Sequence, residues 1–241
     1  MISQQQKEKG IVVVTGASKG IGKTIAEQFA AEGNTILLCA RNEANLLQTV
    51  AELQKQYSHS SIRSFVADMS DKTQVEAFGE WCLEQGIPTV LVNNTGMYLP
   101  GNVSDEPAGN MEKIMNTNFY SAYYLTRKLL PAMKENGAGH IFNLCSVAAL
   151  QAYEGGGSYS VSKFALNGFS KNLRHELKGT GIKVTAVFPG AVMTDTWGDF
   201  DNSRKRIMEA EDVASMIFAA SKLSAQAVVE EIVLRPQLGD L

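Results

Sequence analysis

The sequence predicts an α/β fold in which a doubly wound, parallel β-sheet of about seven strands is covered by helices on both faces. Short β-branched runs alternate with amphipathic stretches along the 241 residues, which is the pattern of repeated βαβ units. Runs such as Ile-Val-Val-Val at 11–14 are continuously apolar, as in strands that are covered on both faces. No linker, repeat or low-complexity segment interrupts the chain, so we predict one domain over residues 1–241.

The β-branched and apolar runs predict strands at Ile11–Thr15, Thr35–Cys39, Ile62–Ala67, Thr89–Asn93, His140–Cys145, Lys183–Phe188 and Ala227–Leu234. The amphipathic stretches predict helices at Ile21–Glu32, Glu43–Gln56, Lys72–Gln85, Met111–Lys134, Ser158–Lys178 and Glu211–Ala220. Gly33 and Gly179 stand where glycine commonly ends a helix. The region around 194–210 is predicted to form a small substrate loop.

Composition argues against several classes of function. The net charge is −3, the isoelectric point is near 5.7, and no block of basic residues offers a surface to nucleic acid. The polar N-terminus lacks a signal-peptide pattern, and no apolar run reaches the roughly 20 residues that span a bilayer. We therefore expect a cytoplasmic protein without nucleic-acid or membrane partners.

The cysteines and histidines do not suggest a site. Cys39, Cys82 and Cys145 lie in apolar or amphipathic runs without Cys-x-x-Cys spacing, which indicates buried, reduced thiols. The three histidines lie in a polar loop, beside a strand and on a charged helix. Neither a hydrolase triad nor a metal site is therefore predicted.

A glycine-rich loop joins the first predicted strand to the first helix. Its sequence, Thr-Gly-Ala-Ser-Lys-Gly-Ile-Gly at 15–22, spaces the glycines as Gly-x-x-x-Gly-x-Gly. Glycine lets the backbone approach a ligand closely, and the helix N-terminus that follows attracts phosphate. In this strand–turn–helix context we predict a dinucleotide site, with a purely structural turn as the alternative. The residues expected to contact the dinucleotide are Gly16, Ser18, Lys19, Gly20, Ile21 and Gly22.

The end of the second strand indicates which dinucleotide is preferred. An NAD site places an acidic residue there to bind the ribose hydroxyls, whereas this chain has Cys-Ala-Arg at 39–41. Arg41 and Lys19 can instead hold a 2′-phosphate, unless both cations are simply solvated. We predict NADP(H) as the cofactor, with NADPH preferred over NADH.

Two further strand ends supply candidate cofactor contacts. Asp68, with Met69 beside it, follows the third strand and either accepts a hydrogen bond from the adenine amine or shapes a turn. Asn-Asn-Thr-Gly at 93–96 closes the fourth strand. Its asparagines, Asn94 among them, can brace the sheet edge, and Gly96 lets the cofactor pass close to the backbone.

Tyr159 and Lys163 are the candidate acid–base pair. On a helix, side chains four residues apart share one face, about 6 Å apart along the axis. A neighbouring ammonium favours the phenolate and lowers the pKa of a tyrosine from about 10. Such a pair can protonate a carbonyl oxygen or deprotonate an alcohol. The spacing alone is common, and a partly exposed helix turn is the alternative.

The motifs, in this order, resemble the short-chain dehydrogenase/reductase family over nearly the whole chain. The matching pieces are residues 15–22, Asp68, residues 93–96, Asn118, Ser146, Tyr159-x-x-x-Lys163 and Pro-Gly-Ala-Val-Met-Thr at 189–194. Thr95 and Cys145 depart from the family pattern, in which alanine and a second serine are common. The C-terminal residues 228–240, together with Trp197-Gly198, look similar to bacterial sepiapterin-reductase-like members of the family.

The resemblance implies a role for each matching residue. Tyr159 is expected to be the general acid in reduction, Lys163 to lower its pKa and bind the nicotinamide ribose, and Ser146 to hold the substrate carbonyl. Asn118 is expected to position a water between Lys163 and solvent, unless it only caps or kinks its helix. Backbone after the sixth strand is expected to hold the carboxamide and diphosphate, at Pro189, Gly190, Val192 and Thr194.

The resemblance and the strand ends also suggest where a substrate would bind. An apolar, aromatic pocket is expected beyond the strand ends, with ordinary packing as the alternative for each of its residues, Met97, Tyr153, Trp197 and Phe200. Asp240 is the one candidate for a C-terminal carboxylate that contacts a pterin; otherwise the tail is unstructured. The resemblance also implies a homodimer or homotetramer assembled through the helices at Met111–Lys134 and Ser158–Lys178.

The sequence thus predicts an NADPH-dependent oxidoreductase that reduces a carbonyl of a small, partly apolar or pterin-like substrate to an alcohol. One alternative is a reductase of 3-oxoacyl-(acyl-carrier-protein) thioesters, which a basic patch would favour; the sequence has no such cluster. The other is an NADP(H)-binding sensor or scaffold without turnover, against which the intact catalytic set argues.

Overall fold

A computed structural model of the chain describes residues 9–240, except for the side chain of Thr196. Residues 1–8 and 241 lie outside the described residues, so the predictions about the polar N-terminus and the single domain over 1–241 stay predictions. The strands of the described part are β1 (Ile11–Thr15), β2 (Thr35–Ala40), β3 (Ile62–Val66), β4 (Pro88–Asn93), β5 (Gly139–Leu144), β6 (Ile182–Pro189) and β7 (Glu231–Leu234).

The strands form one parallel sheet in the order β3-β2-β1-β4-β5-β6-β7, which confirms the predicted fold class. The strand order reverses between β1 and β4. Because the chain runs outward in opposite directions from this point, the loops after β1 and β4 diverge and leave a crevice at the carboxyl edge of the sheet. The predicted dinucleotide loop lies at this crevice.

The helices that cover the sheet are α1 (Gly20–Ala31), α2 (Glu43–Gln56), α3 (Lys72–Gln85), α4 (Asn110–Met115), α5 (Ser121–Asn136), α6 (Gly157–Glu176) and α7 (Ala210–Ser221). Alternate strand residues point to opposite faces: Val12 and Val14 join one buried cluster with α1 and α7, whereas Val13 joins another with α3 and α5. Both faces are therefore apolar, which explains the continuous apolar runs of the sequence.

Two predicted elements differ from those observed. The predicted helix Met111–Lys134 contains a π-helical turn at Asn116–Tyr120, between α4 and α5. The predicted strand Ala227–Leu234 pairs only from Glu231 onward. The ladder begins with the hydrogen bond from the Ala186 N–H to the Glu230 carbonyl (2.9 Å), and its register pairs Ala186 with Glu231.

His140 is a buried imidazole on β5. Its ring stacks on Phe142 with centroids 3.9 Å apart, and Nε2 lies 2.7 Å from the Thr185 hydroxyl oxygen. The Thr185 hydroxyl uses its hydrogen to donate to the Val229 carbonyl. Its oxygen can therefore only accept a hydrogen bond from His140, so Nε2 is the protonated ring nitrogen. Burial, and then the charge of Lys183, lower the pKa of His140 to about 3. The imidazole is therefore neutral in the folded protein.

We predict that His140 makes the protein acid-sensitive. Its folded pKa of about 3 lies below the ordinary value of 6.5, so only the unfolded chain binds this proton between those pH values. Stability is then lost as the pH falls from 6.5, by at most about 1.4 kcal/mol per pH unit. Urea unfolding at pH 6.5, 5.5 and 4.5 should show a shallower loss for His140→Gln than for wild type. Exposed His175 provides the control; His175→Gln should keep the wild-type slope, and equal slopes for all three proteins would contradict the assignment.

Candidate active site

The glycine-rich loop connects β1 to α1 at the crevice. Gly16 and Gly20 have φ angles of +63° and +54°, which side-chain-bearing residues rarely adopt. α1 starts at Gly20 without a side-chain cap on its first N–H groups. These N–H groups and the positive end of the helix dipole suit a phosphate. The loop therefore fits the diphosphate of a dinucleotide.

A hydrogen-bonded clamp joins this loop to the end of β4. The Thr15 hydroxyl accepts from the N–H groups of Asn94 (3.0 Å) and Thr95 (2.9 Å). The Asn94 side-chain amide donates to the carbonyls of Thr15 (2.8 Å) and Gly16 (3.1 Å). A Cβ on Gly22 would lie 2.5 Å from the Asn94 amide nitrogen, so only glycine fits there. The side chain of Asn94 braces the loop.

The two cations predicted to bind a 2′-phosphate are both exposed. Arg41 follows the last residue of β2, at the edge of the crevice. Lys19 Nζ lies 2.5 Å from Asp195 Oδ2, in the turn after β6. Both partners of that ion pair are more than half exposed, so the pair is weak and can open. Asp195 was not among the predicted site residues because 176 positions separate it from Lys19.

Several residues predicted to bind the cofactor have buried side chains and could contact it only through main-chain atoms. Met69 and Val192 are buried in the apolar clusters, and Ile21 packs against one of them. The Asp68 carboxylate accepts from the Ser70 N–H (2.9 Å) and hydroxyl (2.7 Å), which is the turn role considered as the alternative. Of the remaining predicted contacts, Ser18 lies in the loop between β1 and α1, Pro189 ends β6, and Gly190 and Thr194 follow it.

Ser146, Tyr159 and Lys163 meet at the carboxyl end of β5. Tyr159 and Lys163 lie on one face of α6, and the ammonium is 5.8 Å from the phenol ring centroid. Ser146 follows β5 and interacts with the Tyr159 hydroxyl. Lys163 is 4% exposed and donates to the Leu144 carbonyl (2.7 Å). A Cβ on Gly96 would lie 3.4 Å from this ammonium, so Gly96 borders the same site.

The pKa values of this pair are shifted by burial. Burial lowers the pKa of Lys163 to about 8, because the apolar surroundings disfavour the charged form. Burial likewise raises the pKa of Tyr159, and the interaction with Ser146 opposes the rise. The direction for Tyr159 is opposite to the one expected from a neighbouring ammonium, because burial is the largest influence on the pKa of this phenol. The phenol is therefore protonated in the protein without ligands.

Asn118 sits in the π-helical turn and is fully buried. Its side-chain oxygen accepts from the Met97 N–H (2.7 Å), and its amide donates to the Met97 carbonyl and the Ser162 hydroxyl (3.0 Å each). The side chain thus ties the loop after β4 to α6. Both amide hydrogens are used within the protein, so a water at this side chain could only donate to its oxygen.

Two tyrosine side chains, Tyr98 and Tyr153, interact with Tyr159. The Tyr98 ring packs edge-on against Tyr159 with centroids 5.0 Å apart. Tyr153 interacts with the hydroxyls of both, and burial raises the pKa of Tyr153. Trp197 and Phe200 contact each other (5.2 Å) after β6. Tyr98 was not among the predicted site residues; its place directly after Met97 was the only sequence signal.

The C-terminal tail folds back onto the protein. Asp240 forms an ion pair with Arg235, and Arg206 donates to the carbonyls of Gly239 and Asp240 (3.0 Å each). A Cβ on Gly190 would lie 3.0 Å from the Asp240 carboxylate. The described tail is therefore structured, and Asp240 lies at the end of β6.

Residues 9–240 contain neither a metal-binding cluster nor a membrane-spanning helix. This part of the chain holds no group of three or more His, Cys, Asp or Glu side chains arranged to bind a metal ion. None of its helices has both the length and the apolarity that a membrane span requires.

Comparison with known proteins gives concordant results. Residues 10–205 match the short chain dehydrogenase family. Sepiapterin reductase of Chlorobaculum tepidum is 34% identical over 97% of this chain and 98% of its own length.

Solved structures of NADPH-bound reductases have the same fold as this chain. L-sorbose reductase of Gluconobacter frateurii, complexed with NADPH and L-sorbose, superposes with a TM-score of 0.85 at 26% identity, over 94% of this chain and 95% of that one. A variant of actinorhodin polyketide ketoreductase with NADPH gives 0.87 at 28% identity, over 97% and 98%. With the crevice, the glycine loop and the Ser146–Tyr159–Lys163 cluster, these matches establish that the chain belongs to the short-chain dehydrogenase/reductase family of oxidoreductases.

Proposed function

We propose that this protein is an NADPH-dependent reductase of small carbonyl compounds, with Tyr159 as the general acid. The observation that carries the proposal is the meeting of a protonated phenol, the Ser146 hydroxyl and a buried ammonium that borders Gly96, after the end of β4. A buried ionisable group at a crevice is costly to maintain and commonly marks a functional site.

The residues around the crevice fit an NADP(H) molecule. The N-terminus of α1 would hold the diphosphate, Gly96 would leave room for the nicotinamide ribose beside Lys163, and Arg41 and Lys19 would hold the 2′-phosphate. Bound NADPH supplies the hydride for reduction. To hold the phosphate, Lys19 would leave Asp195, because a phosphate offers more charge and more acceptor oxygens to the ammonium.

The chain's own residues control the carbonyl oxygen and its proton. Ser146 donates a hydrogen bond to that oxygen and so fixes its position. Tyr159 donates the proton as negative charge develops on the oxygen, and the raised pKa keeps this proton in place until then. Below about pH 8 the ammonium of Lys163 is charged and stabilises the phenolate that remains.

Aromatic surroundings favour a flat, partly apolar substrate. The Tyr98 ring packs edge-on against the Tyr159 ring, and Tyr153 interacts with both tyrosines. Tyr98 and Tyr153 each carry a hydroxyl that can bind a second polar atom of the substrate. A pterin-like ketone has this combination of flat ring and polar edge. The similarity to the sepiapterin reductase of Chlorobaculum tepidum supports the same class of substrate.

We also propose that the protein is a homodimer or homotetramer that associates through α5 and α6. The outer surface of these helices and the adjoining π turn exposes Tyr120, Val161 and Phe164, each more than one-third accessible. Apolar side chains clustered on a helical surface are typical of interfaces between copies of a chain.

Replacing Tyr159 by phenylalanine should remove turnover but not cofactor binding. Loss of the proton donor should lower kcat by about 10²–10⁴-fold, whereas the NADPH Kd should stay within about twofold. The assay is NADPH oxidation with sepiapterin, diketones, acetoacetyl thioesters and steroids side by side. Tyr57→Phe, at the far end of α2, is the matched control. Retained turnover would exclude the assigned role, and NADPH binding without turnover of any ketone by the wild type would favour a sensor.

Replacing Arg41 by alanine should reduce the preference for NADPH. Loss of a charge-assisted hydrogen bond to the 2′-phosphate should lower the NADPH/NADH ratio of kcat/KM by about 10-fold or more. Lys19→Ala should act in the same direction. Arg63→Ala, on β3, removes an exposed arginine elsewhere and serves as control. An unchanged ratio in both variants would show that neither cation reads the phosphate.

Phe164→Glu should dissociate the assembly. A charge placed in an apolar contact loses its hydration without gaining a partner, so the smaller species should dominate in light scattering at micromolar concentration. Val103→Glu alters an exposed apolar residue of the loop after β4 and should leave the molar mass unchanged. A monomeric wild-type protein would contradict the proposal directly.

A further inference from the structure

The loop after β4 is fastened to the start of α6 by main-chain hydrogen bonds. The Gly101 N–H donates to the Gly155 carbonyl (3.2 Å), and the Gly155 N–H donates to the Asn102 side-chain oxygen (3.2 Å). The Glu106 N–H closes the same turn by donating to the Asn102 carbonyl (2.9 Å). Residues 101–106 therefore lie against residues 155–158, immediately before Tyr159.

Glu106 supplies a cap that α6 lacks in its own sequence. The helix has no side-chain cap at Gly156 and no acidic residue in its first turn. The Glu106 carboxylate accepts from the Ser158 hydroxyl and, at 3.3 Å, from the Ser158 N–H. Ser158 is 1% exposed, so this contact is shielded from water. A carboxylate at this end also interacts favourably with the dipole of the 20-residue helix.

Close packing makes the contact specific. Gly157 has a φ of +30°, and a Cβ there would lie 2.3 Å from the Gly101 carbonyl oxygen and 3.2 Å from Glu106 Oε2. Any larger residue would push the loop away from the helix. The same loop carries Tyr98, whose ring packs on Tyr159. Both ends of the loop thus act on the first turn of α6.

We propose that Glu106 is a positioning residue for Tyr159. Its carboxylate holds Ser158, and Ser158 fixes the first turn of α6, so that the neighbouring phenol points toward Ser146. Glu106 does not touch the reacting atoms. The inference rests on the proposed function, since it assigns a supporting residue to the general acid of that reaction.

The test compares Glu106→Ala, Glu106→Gln and Ser158→Ala with wild type. A displaced phenol should lower kcat about tenfold in Glu106→Ala, with KM and the NADPH Kd within about twofold. Glu106→Gln keeps an acceptor oxygen for Ser158 and should recover most of the rate. Because both groups act through one contact, Glu106→Ala/Ser158→Ala should be no slower than the slower single variant. Exposed Glu112, on α4, provides the control Glu112→Gln, which should match wild type.

Three readouts separate a positioning role from a loss of stability: kcat, amide hydrogen exchange and the rate of the double variant. All rates are taken well below the melting temperature of each variant, and amide hydrogen exchange is measured over residues 156–160. Faster exchange there together with the kcat loss supports the proposal. Wild-type kcat in Glu106→Ala, or independent and multiplicative losses in the double variant, would overturn it. If Tyr159→Phe stays active, the proposed function itself fails. If Tyr159→Phe loses activity but Glu106→Ala keeps the wild-type kcat, only the positioning role fails.

Discussion

The clamp between Thr15 and Asn94 is the interaction on which the crevice depends. It joins the ends of β1 and β4, where the strand order reverses and the backbone would otherwise have unpaired groups. The Thr15 hydroxyl serves two N–H groups and the Asn94 amide serves two carbonyls, so the glycine loop is held in shape before a ligand arrives. Such preorganisation lowers the entropy lost on binding. A short side chain at Thr15 and the absence of one at Gly22 are both required.

A second constraint is the buried ammonium of Lys163. Removing a charge from water costs free energy, and the Leu144 carbonyl only partly offsets that cost, as the pKa of about 8 indicates. Burial shifts the pKa of Tyr159 in the opposite direction, upward, because the charged form of a phenol is the deprotonated one. The pair is thus held in the form that is ready to donate a proton, and a ligand in the crevice would act on both groups together.

The strand and helix pattern and the order of the motifs were determined by the sequence alone. They rest on local rules: β-branched runs form strands, glycine is needed where φ is positive, and residues four apart share a helix face. For that reason the parallel sheet, the loop at 15–22 and the pairing of Tyr159 with Lys163 could all be predicted from residues close together in the chain.

Only the tertiary structure decided which distant groups touch. The π turn arises where Asn118 reaches Met97 and Ser162, Lys19 finds Asp195, and Glu106 caps a helix that begins 51 residues later (157 − 106). The direction of the Tyr159 pKa shift was also beyond the sequence, since it depends on how much water the folded chain excludes. Contacts across long separations and burial are properties of the assembled core, and no local pattern encodes them.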